Sequence, residues 1–181
     1  MCIRDRAAVA VCRAVELVSQ AEVGIKWTND LVLNGKKLCG ILTEMALEGE
    51  TGTVQSLVIG AGVNVRHTPE DFGPEVAQVA TSLAQEGYAV PRAALAAAMI
   101  EELYRLSESL GGDVSGWVEE YRRRCVTLGR PVQLLWTQGR ERAQALDIDS
   151  QFGLVVRRSD GSVTTVRTGE VSVRGLYGYT E

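Results

Sequence analysis

A single histidine, His67, stands in 181 residues, and the four cysteines (Cys2, Cys12, Cys39 and Cys125) form no CxxC pair. A zinc site built on Cys and His spacing is excluded on that ground. Scattered thiols of this kind read as reduced cysteines of a cytoplasmic protein, not as a disulfide framework. Positive charge is also in short supply: 19 Lys and Arg against 23 Asp and Glu leave a net charge of −4, so there is no chain-wide footprint for nucleic acid. No Asn-x-Ser/Thr sequon occurs. No apolar run is long enough to span a membrane, since the best candidate, Ala7 to Val18, is interrupted by Arg13 and Glu16 and lacks a cleavage site. That stretch reads as a buried helix. Met1 to Arg6 do not fit ahead of it and read as foreign sequence or as the ragged start of a fragment.

What is present is an ordinary globular composition, 45% hydrophobic and 23% charged. The length suits one medium domain, or a small domain with an appendage. After the first helix, Val23 to Trp27 reads as a strand, Thr28-Asn29-Asp30 as a turn and Leu31 to Leu33 as a second strand. Asn34-Gly35 is the strongest short hairpin signal available, with a return strand over about 37–46. Val54 to Val65 follows as another strand and ends in Gly60-Ala61-Gly62. Residues 66–74 read as a loop and about 75–86 as a short helix. Arg92 to Leu110 reads as a clear helix, its apolar stripe being Leu95, Met99, Leu103, Leu106 and Leu110. A helix near Ser115 to Cys125 places Trp117, Tyr121 and Cys125 on one face. Beyond Gly129 the period becomes that of short strands and turns, which predicts a small β-barrel and a boundary near Thr127.

Three segments concentrate chemistry. Lys26-Trp27-Thr28-Asn29-Asp30 gathers a cation, an amide and a carboxylate at a strand end; alone it reads as a capped turn with a surface lysine. In Gly35-Lys36-Lys37-Leu38-Cys39-Gly40, a compact positive charge precedes a glycine that leaves backbone room for a phosphate or carboxylate ligand. Alone, those lysines read as solvated. Gly60-Ala61-Gly62-Val63-Asn64 bares a strand backbone, but lacks the third glycine and the following helix of a dinucleotide fingerprint; alone it reads equally well as a bulge.

Taken in order, Lys-Trp-x-Asn-Asp, then Gly-Lys-Lys-Leu-x-Gly-Ile-Leu-x-Glu, then Ile-Gly-x-Gly-Val-Asn-Val, the chain resembles the biotin–protein ligase family. The resemblance runs from about Ala7 to Arg174 and includes Ala80-Thr81-Ser82-Leu83 and Gly169 to Arg174. It implies an α+β fold: part of a class II-synthetase-like catalytic domain over 1–126, followed by a C-terminal SH3-like barrel over 127–181. It also implies ATP-dependent joining of biotin, through biotinyl-5′-AMP, to a lysine of a biotin carboxyl carrier protein, with Mg2+ as cofactor. By the same resemblance Lys37 contacts the biotin carboxylate and the α-phosphate, an electrostatic role. Asp30 receives the proton of the carrier lysine, which must be lost before that amine attacks. Gly40, Gly60 and Gly62 line the biotin pocket with backbone. Lys26, Asn29 and Asn64 contact the ATP phosphates and the magnesium shell, Arg66 to Gly73 is the loop that closes on the adenylate, and Glu170 and Arg174 reach toward the nucleotide.

The sequence departs from the family at Thr28, where proline is usual, and at Cys39, where a small residue is usual. The family's glycine- and arginine-rich loop, its early Ser/Thr segment and any winged helix are not found, so the expectation is a partial active site on a fragment that does not bind DNA. A homodimer is left open. Two other readings compete: a lipoate–protein ligase, and an inactive adaptor that binds a carrier. His67 reads as a loop histidine, Trp27, Trp117 and Trp136 as packing residues, and Arg122-Arg123-Arg124 as a solvated run, with docking of an acidic carrier ranked below that.

Overall fold

The computed structural model describes residues 3–49, 54–136, 139–167 and 170–173. Helix α1 (Ile3–Ser19) starts earlier than the Ala7 expected, and Ala7 to Cys12 are all fully buried. A helix apolar on every side belongs at the centre of a fold. Here α1 lies between a sheet and two further helices, α3 (Arg92–Glu108) and α4 (Ser115–Arg124). That first sheet is antiparallel, in the order β1 (Gly24–Lys26), β2 (Asp30–Leu33), β3 (Lys36–Leu47) and β4 (Val54–Val63). Asn34 and Gly35 both take positive φ, 50° and 78°, which is the geometry a two-residue hairpin loop demands.

Alternation along the strands sorts the side chains. Ile25, Leu31, Cys39 and Ile41 are buried in the core that includes α1, whereas Gly40, Leu42, Glu44, Val58 and Gly60 fall on the opposite, open face. The expected stripe of α3 holds at Leu95 and Leu106, both buried, but Leu110 lies past the helix end and is exposed. The short helix expected over about 75–86 shrinks to α2 (Val76–Val79). The reason is tertiary. Ala80 bridges to Lys37, the Thr81 and Leu83 amides donate to the Lys37 and Asn64 carbonyls, and the segment is drawn out as an extended strap.

A second antiparallel sheet follows α4, in the order β8-β7-β6-β5-β9, from β5 (Pro131–Trp136), β6 (Gly139–Ile148), β7 (Leu154–Arg158), β8 (Val163–Val166) and β9 (Glu170–Val173). The five short strands are therefore present. Cys12, Cys39 and Cys125 are free and buried. Among the described residues no helix is long and apolar enough to cross a membrane.

Candidate functional site

Strand register assembles the site. Lys26 pairs with Asp30, Asp30 with Gly40, and Gly40 with Gly62, so one row crosses all four strands of the first sheet. Directly opposed residues share a face. The row therefore carries charge at one end and bare backbone at the other, with Gly60 two residues further along β4. Between Leu31 and Val32 the register slips, and Lys37 then lies opposite Val32. Its side chain folds back over Gly40, and Nζ meets Asp30 Oδ1 at 2.7 Å. The Lys37 side chain stays 41% exposed, so the cation is held in place yet open to a ligand.

The two partners are anchored separately. The Lys37 carbonyl accepts the Thr81 amide at 2.9 Å, and the Thr81 hydroxyl donates to Glu86 Oε1 at 2.6 Å. Glu86 in turn accepts from Asn34 Nδ2 at 2.6 Å, which ties the hairpin tip to the strap. On the other side, Asn29 Nδ2 donates to the Ile41 carbonyl and its Oδ1 accepts from the Thr28 hydroxyl at 2.7 Å. The Trp27–Thr28 peptide is cis. Asn64 follows β4 directly, its amide donating to the Thr81 carbonyl at 3.0 Å. Lys26, Asn29, Asp30, Lys37, Gly40, Gly60, Gly62 and Asn64 thus share one region. Glu170 opens β9 opposite Leu135 in the second sheet, and Arg174 lies outside the described residues.

Cys39 sits beneath this row. Burial pushes its thiol up to about 12, the Asp30 charge adding to the shift and Lys37 opposing it, so it stays protonated and is no nucleophile at neutral pH. Among the described residues no group of three or more His, Cys, Asp or Glu could hold a metal.

The Arg122–Arg124 run is not the solvated patch expected. Arg124 pairs with Glu16 and Glu120 at 2.5 and 2.8 Å, and Arg122 pairs with Asp147 at 2.6 Å; only Arg123 is largely exposed. The packing expected of Trp27 holds, since it is 3% exposed. Trp117 is half-buried beneath the Arg13 guanidinium, 4.5 Å from its ring centroid. His67 stacks on Phe72 within the 66–73 loop. Two residues that the sequence does not mark as part of the site reach the 27–28 turn: the Tyr121 hydroxyl donates to the Thr28 carbonyl, and the Phe152 carbonyl accepts from the Trp27 indole.

A family model described as the biotin/lipoate A/B protein ligase family matches residues 2–64, which contain Lys26 to Gly62 of the row. Over that stretch the chain is similar to members of this family. A biotin–[acetyl-CoA-carboxylase] ligase of Mycobacterium tuberculosis is 33% identical over 156 residues, covering 85% of this chain and 54% of that one. The bifunctional ligase/repressor BirA of Bacillus subtilis is 48% identical over 79 residues, 44% of this chain and 24% of that protein. The chain thus spans about half the length, or less, of the curated relatives it matches. The apo structure of a biotin protein ligase from Aquifex aeolicus superposes with a TM-score of 0.81 at 20% identity, covering 96% of this chain and 75% of that one. The same ligase in complex with biotin and ATP gives 0.77 at 19%. The mixed α and β architecture, with its antiparallel sheets, is the biotin protein ligase fold.

Proposed function

We propose that this chain carries out, within its full-length protein, the ATP-dependent joining of biotin to a lysine of a biotin carboxyl carrier protein. The observation that carries this reading is the Lys37–Asp30 pair standing over Gly40 at the head of a row of bare backbone. The names of the curated relatives support biotin as substrate over lipoate, and an adaptor has no use for such a pair.

Biotin lies along Gly40, Gly60 and Gly62, and Lys37 meets its carboxylate and the α-phosphate of ATP. The carboxylate oxygen attacks the α-phosphorus, giving biotinyl-5′-AMP and pyrophosphate, while Lys37 offsets the charge gathered there. Anionic groups arriving over Gly40 compete with Asp30 for the ammonium. That competition leaves the Asp30 carboxylate able to take a proton from the carrier lysine, whose free amine then attacks the mixed anhydride and expels AMP. Lys26, Asn29 and Asn64 would contact the ATP phosphates and the shell of a bound Mg2+, which would supply charge neutralisation there. The 66–73 loop covers the adenylate, and Glu170 and Arg174 approach the nucleotide. Residues 1–126 form the catalytic domain. The second sheet, with its five short strands in the order given, supports an SH3-like barrel over 127–181. Buried free thiols support a reducing, cytoplasmic setting.

The test is carrier labelling by the full-length protein supplied with biotin and MgATP. Lys37→Ala is expected to lower labelling by about 10²-fold or more. No labelling, or labelling that Lys37→Ala leaves untouched, overturns the assignment.

A further inference from the structure

The turn that delivers Asp30 is held from outside its own sheet. The Trp27 backbone N–H donates to Thr127 Oγ1 at 3.0 Å, and its indole Nε1 donates to the Phe152 carbonyl at 2.9 Å. The Tyr121 hydroxyl donates to the Thr28 carbonyl at 2.6 Å. Tyr121 and Phe152 meet edge to face, their centroids 5.4 Å apart at 89°. Trp27 to Phe152 to Tyr121 to Thr28 is thus a closed ring of contacts, three of whose members are buried. Bonds made in such a place are costly to lose, because water does not replace them.

The far end of this clamp is itself stiff. Phe152 has φ +62°, in a turn where the Asp149 carboxylate accepts the Gln151 and Gly153 amides, each at 2.8 Å, and pairs with Arg167 at 2.7 Å. A side chain at Gly153 would come within 2.5 Å of Thr165, so the backbone there has no slack. The near end stays a donor, since burial pushes the Tyr121 hydroxyl well above its ordinary range. The Lys37 backbone is held separately, its carbonyl accepting from the Thr81 amide, while its ammonium meets Asp30 through the side chain alone. A shift of the Thr28 peptide therefore moves the Asp30 carboxylate relative to the Lys37 backbone and changes the geometry of the pair.

We propose that Tyr121 and Phe152 are positioning residues that fix the 27–30 turn, so that the second sheet sets where Asp30 meets Lys37. This rests on the ligase reading of that pair. It assigns the second sheet a part in the lysine-transfer step that needs no contact with the nucleotide.

Tyr121→Phe removes one oxygen and keeps the ring. In the full-length protein, kcat for carrier labelling is expected to fall by about tenfold or more, with KM for biotin and ATP within about twofold, as for a misplaced reacting group. In amide NMR spectra the Asn29 and Asp30 signals shift and exchange at least about tenfold faster, while those of β8 do not. Phe152→Leu acts in the same direction. Val118→Ala, buried on the same helix, costs stability but leaves both readouts as in the wild type. Wild-type amide shifts and exchange in Tyr121→Phe overturn the proposal, as does an equal change in Val118→Ala. If the wild type labels no carrier, the ligase reading falls, and the amide readout alone decides the clamp.

Discussion

A methyl group at position 40 would stand 3.3 Å from Lys37 Cε and 3.4 Å from its Nζ, whereas one at position 62 meets only the Gly40 carbonyl, at 4.0 Å. Two glycines of one row therefore have different reasons to be bare. Gly40 makes room for the lysine that folds over it. Among the described residues nothing else stands within 4 Å of a methyl at position 62, which leaves the backbone at Gly62 open to an approaching ligand. Gly62→Ala is accordingly expected to keep the thermal midpoint within about 2 °C of the wild type. Biotin affinity, measured by calorimetry on the full-length protein, is expected to fall about tenfold or more, because a methyl intrudes where backbone met the ligand. An affinity unchanged by the substitution removes Gly62 from the pocket.

Between elements, α1, α3 and α4 are joined by ion pairs at the border of their shared apolar core. Glu120 of α4 accepts from Arg13 of α1 and from Arg124, which also grips Glu16, and Arg13 reaches Glu102 of α3 at 3.7 Å. Burial alone would push the Glu120 carboxyl up. Its hydrogen bonds from the two arginines outweigh that and hold it below its ordinary value of 4.5. A carboxyl whose folded pKa is depressed stabilises fully above its unfolded pKa and loses that contribution as pH falls through the folded value. Glu120→Gln is thus expected to cost about 1–3 kcal/mol at pH 7, read from urea midpoints, with the gap to wild type closing as pH falls below 4.5. A gap independent of pH refutes the ionic account. The elements themselves were largely legible: alternation gave the strands, Asn34-Gly35 gave the hairpin, and Leu95 and Leu106 gave the buried side of α3. The ionic joints were not, because a run such as Arg122 to Arg124 looks the same whether its partners are water or glutamates a hundred residues away. The strap at 80–83 escaped for a similar reason, since its hydrogen bonds run to β3 and to Asn64 and leave no periodic mark.

At the scale of the whole molecule, the site was legible where it is local. Lys26 to Asp30, Lys37 to Gly40 and Gly60 to Asn64 each lie within a few residues of one another, and hairpin register brings the three together. The clamp was not legible, because its bonds join residues 93 and 125 apart in sequence, and no spacing announces such a meeting. Those same bonds decide how the two sheets unfold. Val126 N donates to the Ile25 carbonyl at 2.9 Å, and Arg122 binds both Asp147 and the Ile148 carbonyl at 2.6 Å. If the second sheet melted alone, it would strip Trp27 of its indole partner and open the packed ring of Tyr121, leaving buried donors unsatisfied in what remained. A partly folded state of that kind is disfavoured, so the two sheets are expected to unfold in one cooperative transition. Tryptophan fluorescence of a Trp136→Phe variant, which then reports Trp27 and Trp117 alone, and amide signals from β6 and β7 should share a single urea midpoint. Two separated midpoints would show that the second sheet folds without the first, and the clamp could not then hold the 27–30 turn with the force assigned to it.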